Sequence, residues 1–225
     1  MFRAVIFDVD GTLVDSNDAH ANAWVRAIAE TGRHAEFSRV RPLIGMGGDK
    51  LLPEVTGVSI ESPEGKAIAR RRKEIFATGY LPHLQPTRGA RRLLEWLRDE
   101  RMKLVVATSA EEDEMQGLLR VAGAEKMFGA TASSDDAERS KPDPDIVAAA
   151  IDRANCPAAA IVMVGDTPYD VEAALRAGIE IIGLRSGGWP DAELRGAVAI
   201  YDDPADLLDH YDVSPFRRLA AGRSV

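Results

Sequence analysis

Cysteine occurs once in the 225 residues, at Cys156, which excludes an internal disulfide and a cysteine-built structural zinc site and gives no sign of an oxidising compartment. Placed beside Pro157 after a helical pattern, it reads as ordinary packing. No apolar run approaches the roughly 18 residues that a membrane-spanning helix requires. The opening Met1-Phe2-Arg3-Ala4-Val5-Ile6-Phe7 runs straight into acidic residues without the stages of a secretory signal, so a soluble, cytoplasmic protein with no membrane partner is expected. Positive charge is also short: 28 Lys+Arg face 36 Asp+Glu, and the net −8 repels phosphate backbones, so nucleic acid is not an expected partner. Internal repeats and low-complexity tracts are missing too. What is there is a composition of 45% hydrophobic and 28% charged residues, the usual share for a globular chain, in a length that holds one large domain or a domain carrying a smaller insertion.

Short apolar runs alternate with amphipathic helical stretches, the pattern of an α/β fold with a parallel sheet covered by helices. Arg3 to Phe7, Leu104 to Ala107, Ala130 to Ala132, Ile161 to Val164, Ile179 to Leu184 and Val198 to Tyr201 are the expected strands, several of them uniformly apolar as strands buried on both faces are. Thr87 is the expected cap of a helix whose stripe is Leu93, Leu94, Trp96 and Leu97, all assigned to the core; Met115, Leu118, Leu119 and Ala122 form another stripe ending at Gly123. Residues 17–81 contain helical stripes such as Ala23, Val25, Ile28 and Ala29 but no Val/Ile strand. They read as an inserted α-helical domain, with 1–16 and 82–225 forming the core and hinges near Asp15-Ser16 and Pro82 to Thr87. The tail from Ser214, with Phe216, Arg217, Arg218 and a terminal Gly-Arg-Ser-Val, is expected to fray.

The first strand ends in Asp8-Val9-Asp10-Gly11-Thr12, which sets two carboxylates at the carboxyl edge of the sheet, where open α/β folds place their ligands. Alternation aims Asp8 and Asp10 to one side, and Gly11 permits a sharp turn. Alone, the motif is equally a turn or a calcium-type loop. Three further features follow strands or strand-to-helix crossings. Thr108-Ser109 offers a hydroxyl and a backbone N–H, donors suited to a phosphate oxygen. Ser140-Lys141-Pro142-Asp143-Pro144 offers one cation in a stiff turn, and Gly165-Asp166-Thr167-Pro168-Tyr169-Asp170 two more carboxylates. Singly, Thr108 serves as a helix cap, Lys141 as a solvated charge, and Asp166 and Asp170 as complements to a helix N-terminus. Four such elements in this order point to one shared site.

In these four motifs the chain resembles the haloacid dehalogenase superfamily, in its β-phosphoglucomutase and phosphoglycolate phosphatase branch, over residues 1 to about 205. The resemblance implies a Rossmann-like sheet, a small helical cap over 17–81, a Mg²⁺ cofactor, and hydrolysis of a small phosphorylated metabolite through an aspartyl-phosphate. It implies Asp8 as nucleophile and Asp10 as acid and base; Thr108, Lys141, the Ser109 N–H and, from the first loop, Gly11 and Thr12 as the phosphate cradle; Asp8, the Asp10 carbonyl and Asp166 as metal ligands; and Asp170 as a residue that orients Lys141 or a metal-bound water. A carboxylate nucleophile splits a difficult displacement into two easier ones, and a phosphate ester among several carboxylates requires a cation.

Substrate choice falls to the insertion, because the core supplies only phosphate chemistry. His20, Gly47, Gly48 and Lys50 are its candidate substrate contacts. His20 and Trp24 share a helical face, as in the β-phosphoglucomutase branch, yet also read as a packing Trp beside a surface His. A mutase is the second reading; it needs a cationic clamp for a second phosphate, and Gly48 stands where that branch commonly carries Arg, with Lys50 as a possible substitute. The spacing Met46-Gly47-x-x-Lys50 is also similar to the phosphonoacetaldehyde hydrolase cap, whose Lys forms a Schiff base, but Asp10 argues against that chemistry and against dehalogenation. A phosphate-binding protein without turnover is the remaining alternative, and binding alone does not require Asp10. The sequence leaves the substrate and the oligomeric state open.

Overall fold

The computed structural model describes residues 2–217. The expected strands form β1 (Ala4–Phe7), β2 (Lys103–Ala107), β3 (Ala130–Ala132), β4 (Ile161–Gly165), β5 (Glu180–Leu184) and β6 (Ala199–Tyr201), each within a residue of its sequence reading, in one parallel sheet of order β3-β2-β1-β4-β5-β6. Alternation sorts the side chains of β1 into two cores: Val5 and Phe7 face one side, Ala4 and Ile6 the other, and all four are fully buried. The chain builds outward from β1 first to β2 and β3, then returns to β4 and builds the other way. β1 and β4 therefore lie side by side at the point where strand order reverses, and the crevice beyond their carboxyl ends is the natural ligand position.

Helices cover both faces. In chain order they are α1 (Asn17–Ala29), α2 (Phe37–Val40), α3 (Gly48–Thr56), α4 (Pro63–Gly79), α5 (Ala90–Asp99), α6 (Glu112–Val121), α7 (Asp145–Ala154), α8 (Pro168–Arg176) and α9 (Pro204–Asp209). Buried side chains of α7 and α8 join the Ala4/Ile6 core, and those of α5, α6 and α9 join the Val5/Phe7 core. No strand interrupts α1 to α4. Within that segment α1 packs against α4, and Arg71 of α4 clasps Glu30 with two hydrogen bonds of 2.5 and 3.0 Å. The chain leaving for α1 runs beside the chain returning from α4, with Asp15 N–H donating to Gln85 O at 3.0 Å and Thr87 N–H to Leu13 O at 3.0 Å. Among the described residues no helix is long and apolar enough to cross a membrane.

Some local expectations are corrected. The N-cap of α5 is Gly89, at φ +80, and not Thr87, whose hydroxyl is buried without a partner among the described residues. A Cβ on Gly89 would sit 2.6 Å from Ala205, so the approach of α9 demands glycine there. Trp96 is 44% exposed, edge-on to Tyr211 at the rim of the core instead of inside it. The expected fraying does not begin at Ser214: Phe216 is buried and stacked on Tyr211. Arg218 and the terminal Gly222-Arg223-Ser224-Val225 lie outside the described residues. Cys156 is half-buried at the edge of the α7/α8 core.

Candidate active site

Strand ends at the switch point bring the four sequence motifs together. Asp8 follows β1, Thr108 follows β2, Asp166 follows β4, and Lys141 arrives on the loop before α7; Asp8, Thr108, Lys141, Asp166 and Asp170 are all buried. Lys141 is thus the reverse of a solvated charge. Its Nζ donates to Asp8 Oδ1 at 2.5 Å, Asp170 Oδ1 at 2.8 Å and Ala107 O at 2.8 Å, which uses all three of its protons. Burial alone would lower its pKa, but Asp170 and Asp8 outweigh it and hold the amine firmly protonated.

Asp170 is fixed from the other side. Thr167 caps α8, with Asp170 N–H donating to its Oγ1 at 3.2 Å, while Thr167 N–H and Oγ1 donate to Asp170 Oδ2 at 3.1 and 2.7 Å. This reciprocal box, with Pro168 in the first turn, locks the carboxylate that holds Lys141. Asp166 receives Thr12 Oγ1 at 2.7 Å and Asn17 Nδ2 at 2.9 Å. A Cβ on Gly11 or on Gly187 would lie 2.1 Å from its Oδ2, so backbone closes over it on two sides; Gly11 is at φ +73.

Ligand oxygens of Asp8, Asp166 and Asp170 lie within 4.8 Å of one another. Burial, then the Asp170 charge, pushes Asp166 up to about 7. Burial likewise raises Asp8 well above the carboxylate range, with Lys141 pulling it down and Asp170, Asp166 and Asp10 adding to the rise. Beside them the Asn17 Oδ1 is buried with no partner among the described residues. Three crowded carboxylates against one amine, plus an orphaned acceptor, fit a divalent cation, and an all-oxygen donor set is the kind that hard cations prefer.

The side chain of Asp10 does not join this cluster. Its Oδ1 accepts from Ser16 Oγ at 2.5 Å and meets His20 Nε2 at 2.6 Å, while Arg72 Nη2 approaches His20 Nδ1 at 3.1 Å. Burial pushes the Asp10 carboxyl up, but the His20 ring, by its field and its hydrogen bond, together with Ser16 and Arg72, holds it below its ordinary value. His20 is buried and stacked on Phe76 at 3.9 Å, so the surface histidine of the sequence reading is corrected: it is a partner of Asp10. Trp24 is buried beneath the Arg72 guanidinium, 5.4 Å from its ring centroid.

Asp8, Asp10, Thr108, Ser109, Gly47, Gly48 and His20 line a small cavity of about 50 Å³. Gly11 and Thr12, expected in the phosphate cradle, line neither this cavity nor the larger one beside it: the Gly11 N–H goes to Val14 O at 2.7 Å and the Thr12 hydroxyl to Asp166. Lys50, expected as a cap contact, also lines neither; its amine is spent on Ser140 O and Asp143 Oδ2, both at 2.5 Å. Sequence reasoning missed Ser16, Asn17 and Arg72. Thr167 carried a signal, the T-P-x-D start of a capped helix; Arg72 carried none, standing in a run of like residues from Arg70 to Lys73.

Strand ends of an α/β fold thus gather a buried carboxylate–amine cluster, and comparison with known proteins gives its family. Residues 5–184 match the haloacid dehalogenase-like hydrolase family, and the chain belongs to it. It is 32% identical over 185 residues to the phosphorylated carbohydrates phosphatase of Thermotoga maritima, covering 80% of this chain and 83% of that one. It is 31% identical over 208 residues to the phosphoglycolate phosphatase of Pseudomonas syringae pv. tomato, covering 89% and 76%. The crystal structure of a hydrolase from Pseudomonas syringae superposes with a TM-score of 0.87 at 31% identity over 93% of this chain and 98% of the other. The chain is thus a phosphoric monoester hydrolase of this family, similar to phosphoglycolate and phosphorylated-carbohydrate phosphatases.

Proposed function

We propose that the protein is a Mg²⁺-dependent phosphatase that hydrolyses a small phosphorylated metabolite through a phosphorylated Asp8, with the α1–α4 segment (residues 17–81) acting as a cap over the core. The observation that carries this reading is the meeting of Asp8, Lys141, Asp166 and Asp170 in one buried cluster whose Asp8 edge opens, beside Asp10 and Thr108, into a phosphate-sized cavity. Asp8 and Asp166, with the Asp10 carbonyl, would hold the metal, and Asp170 would stay in place as the anchor of Lys141. Bound there, the metal supplies charge neutralisation that lets a phosphate dianion approach the carboxylates.

In the first step an Asp8 oxygen attacks phosphorus, the bond to the ester oxygen breaks, and Asp10 gives that oxygen its proton. Lys141 and the Thr108–Ser109 turn take up charge on the equatorial oxygens. In the second step water attacks the phosphorus, its proton returns to Asp10, and Asp8 leaves as a carboxylate with inorganic phosphate released. The mutase reading gains no support from Lys50, whose amine is already paired with Asp143. The test is Asp8→Asn and Asp10→Asn on p-nitrophenyl phosphate with and without Mg²⁺. Asp8→Asn is expected to lose turnover and any acid-stable phosphoryl-enzyme, and Asp10→Asn to lose about 10²–10⁴-fold in kcat. Substantial Asp8→Asn activity discards the covalent route, and an unchanged Asp10→Asn rate removes Asp10 as acid and base.

A further inference from the structure

Lys141 reaches the site from a four-residue turn, Ser140–Asp143, closed by Asp143 N–H donating to Ser140 O at 3.1 Å. Its amine is fixed at the far end by Asp8, Asp170 and Ala107, so the backbone end of the side chain is set by whatever holds this turn. Two cations from elsewhere in the chain hold it. Arg176 of α8 donates to Pro142 O at 3.2 Å and to Asp143 Oδ1 at 2.8 Å. Lys50 of α3 donates to Ser140 O and to Asp143 Oδ2, both at 2.5 Å. The turn is thus gripped from the core by one residue and from the α1–α4 segment by the other, and Lys50 bridges its two ends across Lys141.

The run that carries Lys50 is seated tightly on this side of the core. A Cβ on Gly47 would lie 2.0 Å from Ser140 Oγ, and one on Gly45 would lie 2.7 Å from Thr167 Cγ2, on the residue that locks Asp170. Residues 45–50 therefore touch both supports of the Lys141 amine: the turn behind it and the cap that fixes its carboxylate partner. Lys50 itself lines neither cavity at the site, so any effect it has on a bound ester passes through the turn. Resting on the phosphatase reading above, we infer that Lys50 is a positioning residue for phosphoryl transfer, holding Lys141 in register with Asp8 through Ser140 and Asp143. The phosphate site of the core is then complete only with α3 in place. A misplacement of about 1 Å at a reacting group can cost on the order of 10²-fold in rate, so a brace of this kind has a measurable effect.

The experiment measures kcat and KM of the Mg²⁺-loaded enzyme on phenyl phosphate, p-nitrophenyl phosphate and a hexose monophosphate. Lys50→Met, which keeps the stem and drops the charge, is expected to lower kcat about 10–100-fold by a similar factor on every ester it turns over, with KM changed less than about threefold. Lys50→Arg should recover part of the loss, since its guanidinium can still donate to both oxygens. Asp143→Asn, which leaves the α1–α4 segment untouched, should show the same split, and the double variant should lose less than the product of the two single losses. An unchanged kcat in Lys50→Met, a loss confined to KM on one ester, no recovery in Lys50→Arg, or fully multiplicative losses in the double variant each overturn the inference. Should Lys50→Met not fold, Asp143→Asn decides alone, and an unchanged kcat there overturns it. In all of these cases turnover by the parent leaves the phosphatase reading standing, whereas no metal-dependent turnover of any ester by the parent overturns both.

Discussion

His20 shows how far one contact redirects a residue. Four positions from Trp24 on α1, it reads as a face-sharing neighbour; in the fold it is buried between the Phe76 ring and Asp10, held by Arg72 at the far nitrogen. Under the proposed mechanism it is a positioning residue that aims Asp10. A hydrogen bond to a charged group contributes roughly 1.5–3 kcal/mol, so His20→Ala is expected to lower kcat about 10–100-fold with a smaller change in KM. His20→Gln, whose amide can still donate to Asp10, should recover part of that loss; a parallel rise in KM, or no recovery, would point to general damage of the helix pair instead. Thr12 and Gly11 belong to the same lesson. Both were legible as first-loop residues, but which way they face was decided by Asp166, which takes the Thr12 hydroxyl and leaves no room for a Cβ at Gly11.

At the scale of elements, the strands were readable because burial on both faces leaves an unbroken apolar run, and the helix end at Gly123 because that glycine occupies positive φ. Caps were harder to place: Gly89 displaced Thr87 through contact with α9, more than 100 positions along the chain. A better-placed cap is Ser133, which starts the short 3₁₀ turn Ser134–Asp136. There Asp136 accepts from Arg153 of α7 at 2.6 and 2.8 Å and from Ser133 N–H at 3.1 Å, and these bonds depress its carboxyl to about 2. A depressed carboxyl stabilises the fold above its unfolded value, near 4, and loses that contribution as pH falls toward 2. Asp136→Asn is therefore expected to flatten the acid limb of a urea-denaturation series between pH 4 and 2 relative to the parent; equal slopes would mean that the pair is too well solvated to matter.

For the whole molecule, the unresolved charge is that of three carboxylates sharing one amine. A ligand that binds only the folded state raises stability by about 2.7 kcal/mol at 100 times its Kd. Mg²⁺ is thus expected to raise the Tm in a saturable way, EDTA to reverse the rise, and Asp166→Asn to abolish the response even if that variant is intrinsically more stable without metal; a metal response that survives in Asp166→Asn would move the site elsewhere. Ion pairs also tie the α1–α4 segment to the core, through Lys50–Asp143, Arg72–Glu114 and Lys73–Glu111. None of these pairings was legible, since a charge on a helix face declares its type but not its partner. The sequence by itself determined the α/β class, the strand positions and the four motifs at strand ends, because local periodicity places a residue on an edge without reference to the rest of the chain. Only the tertiary structure decided that His20 meets Asp10, that Lys50 is spent on Asp143 and that Trp96 lies at the rim, because each depends on distances between segments far apart in the chain that packing alone sets.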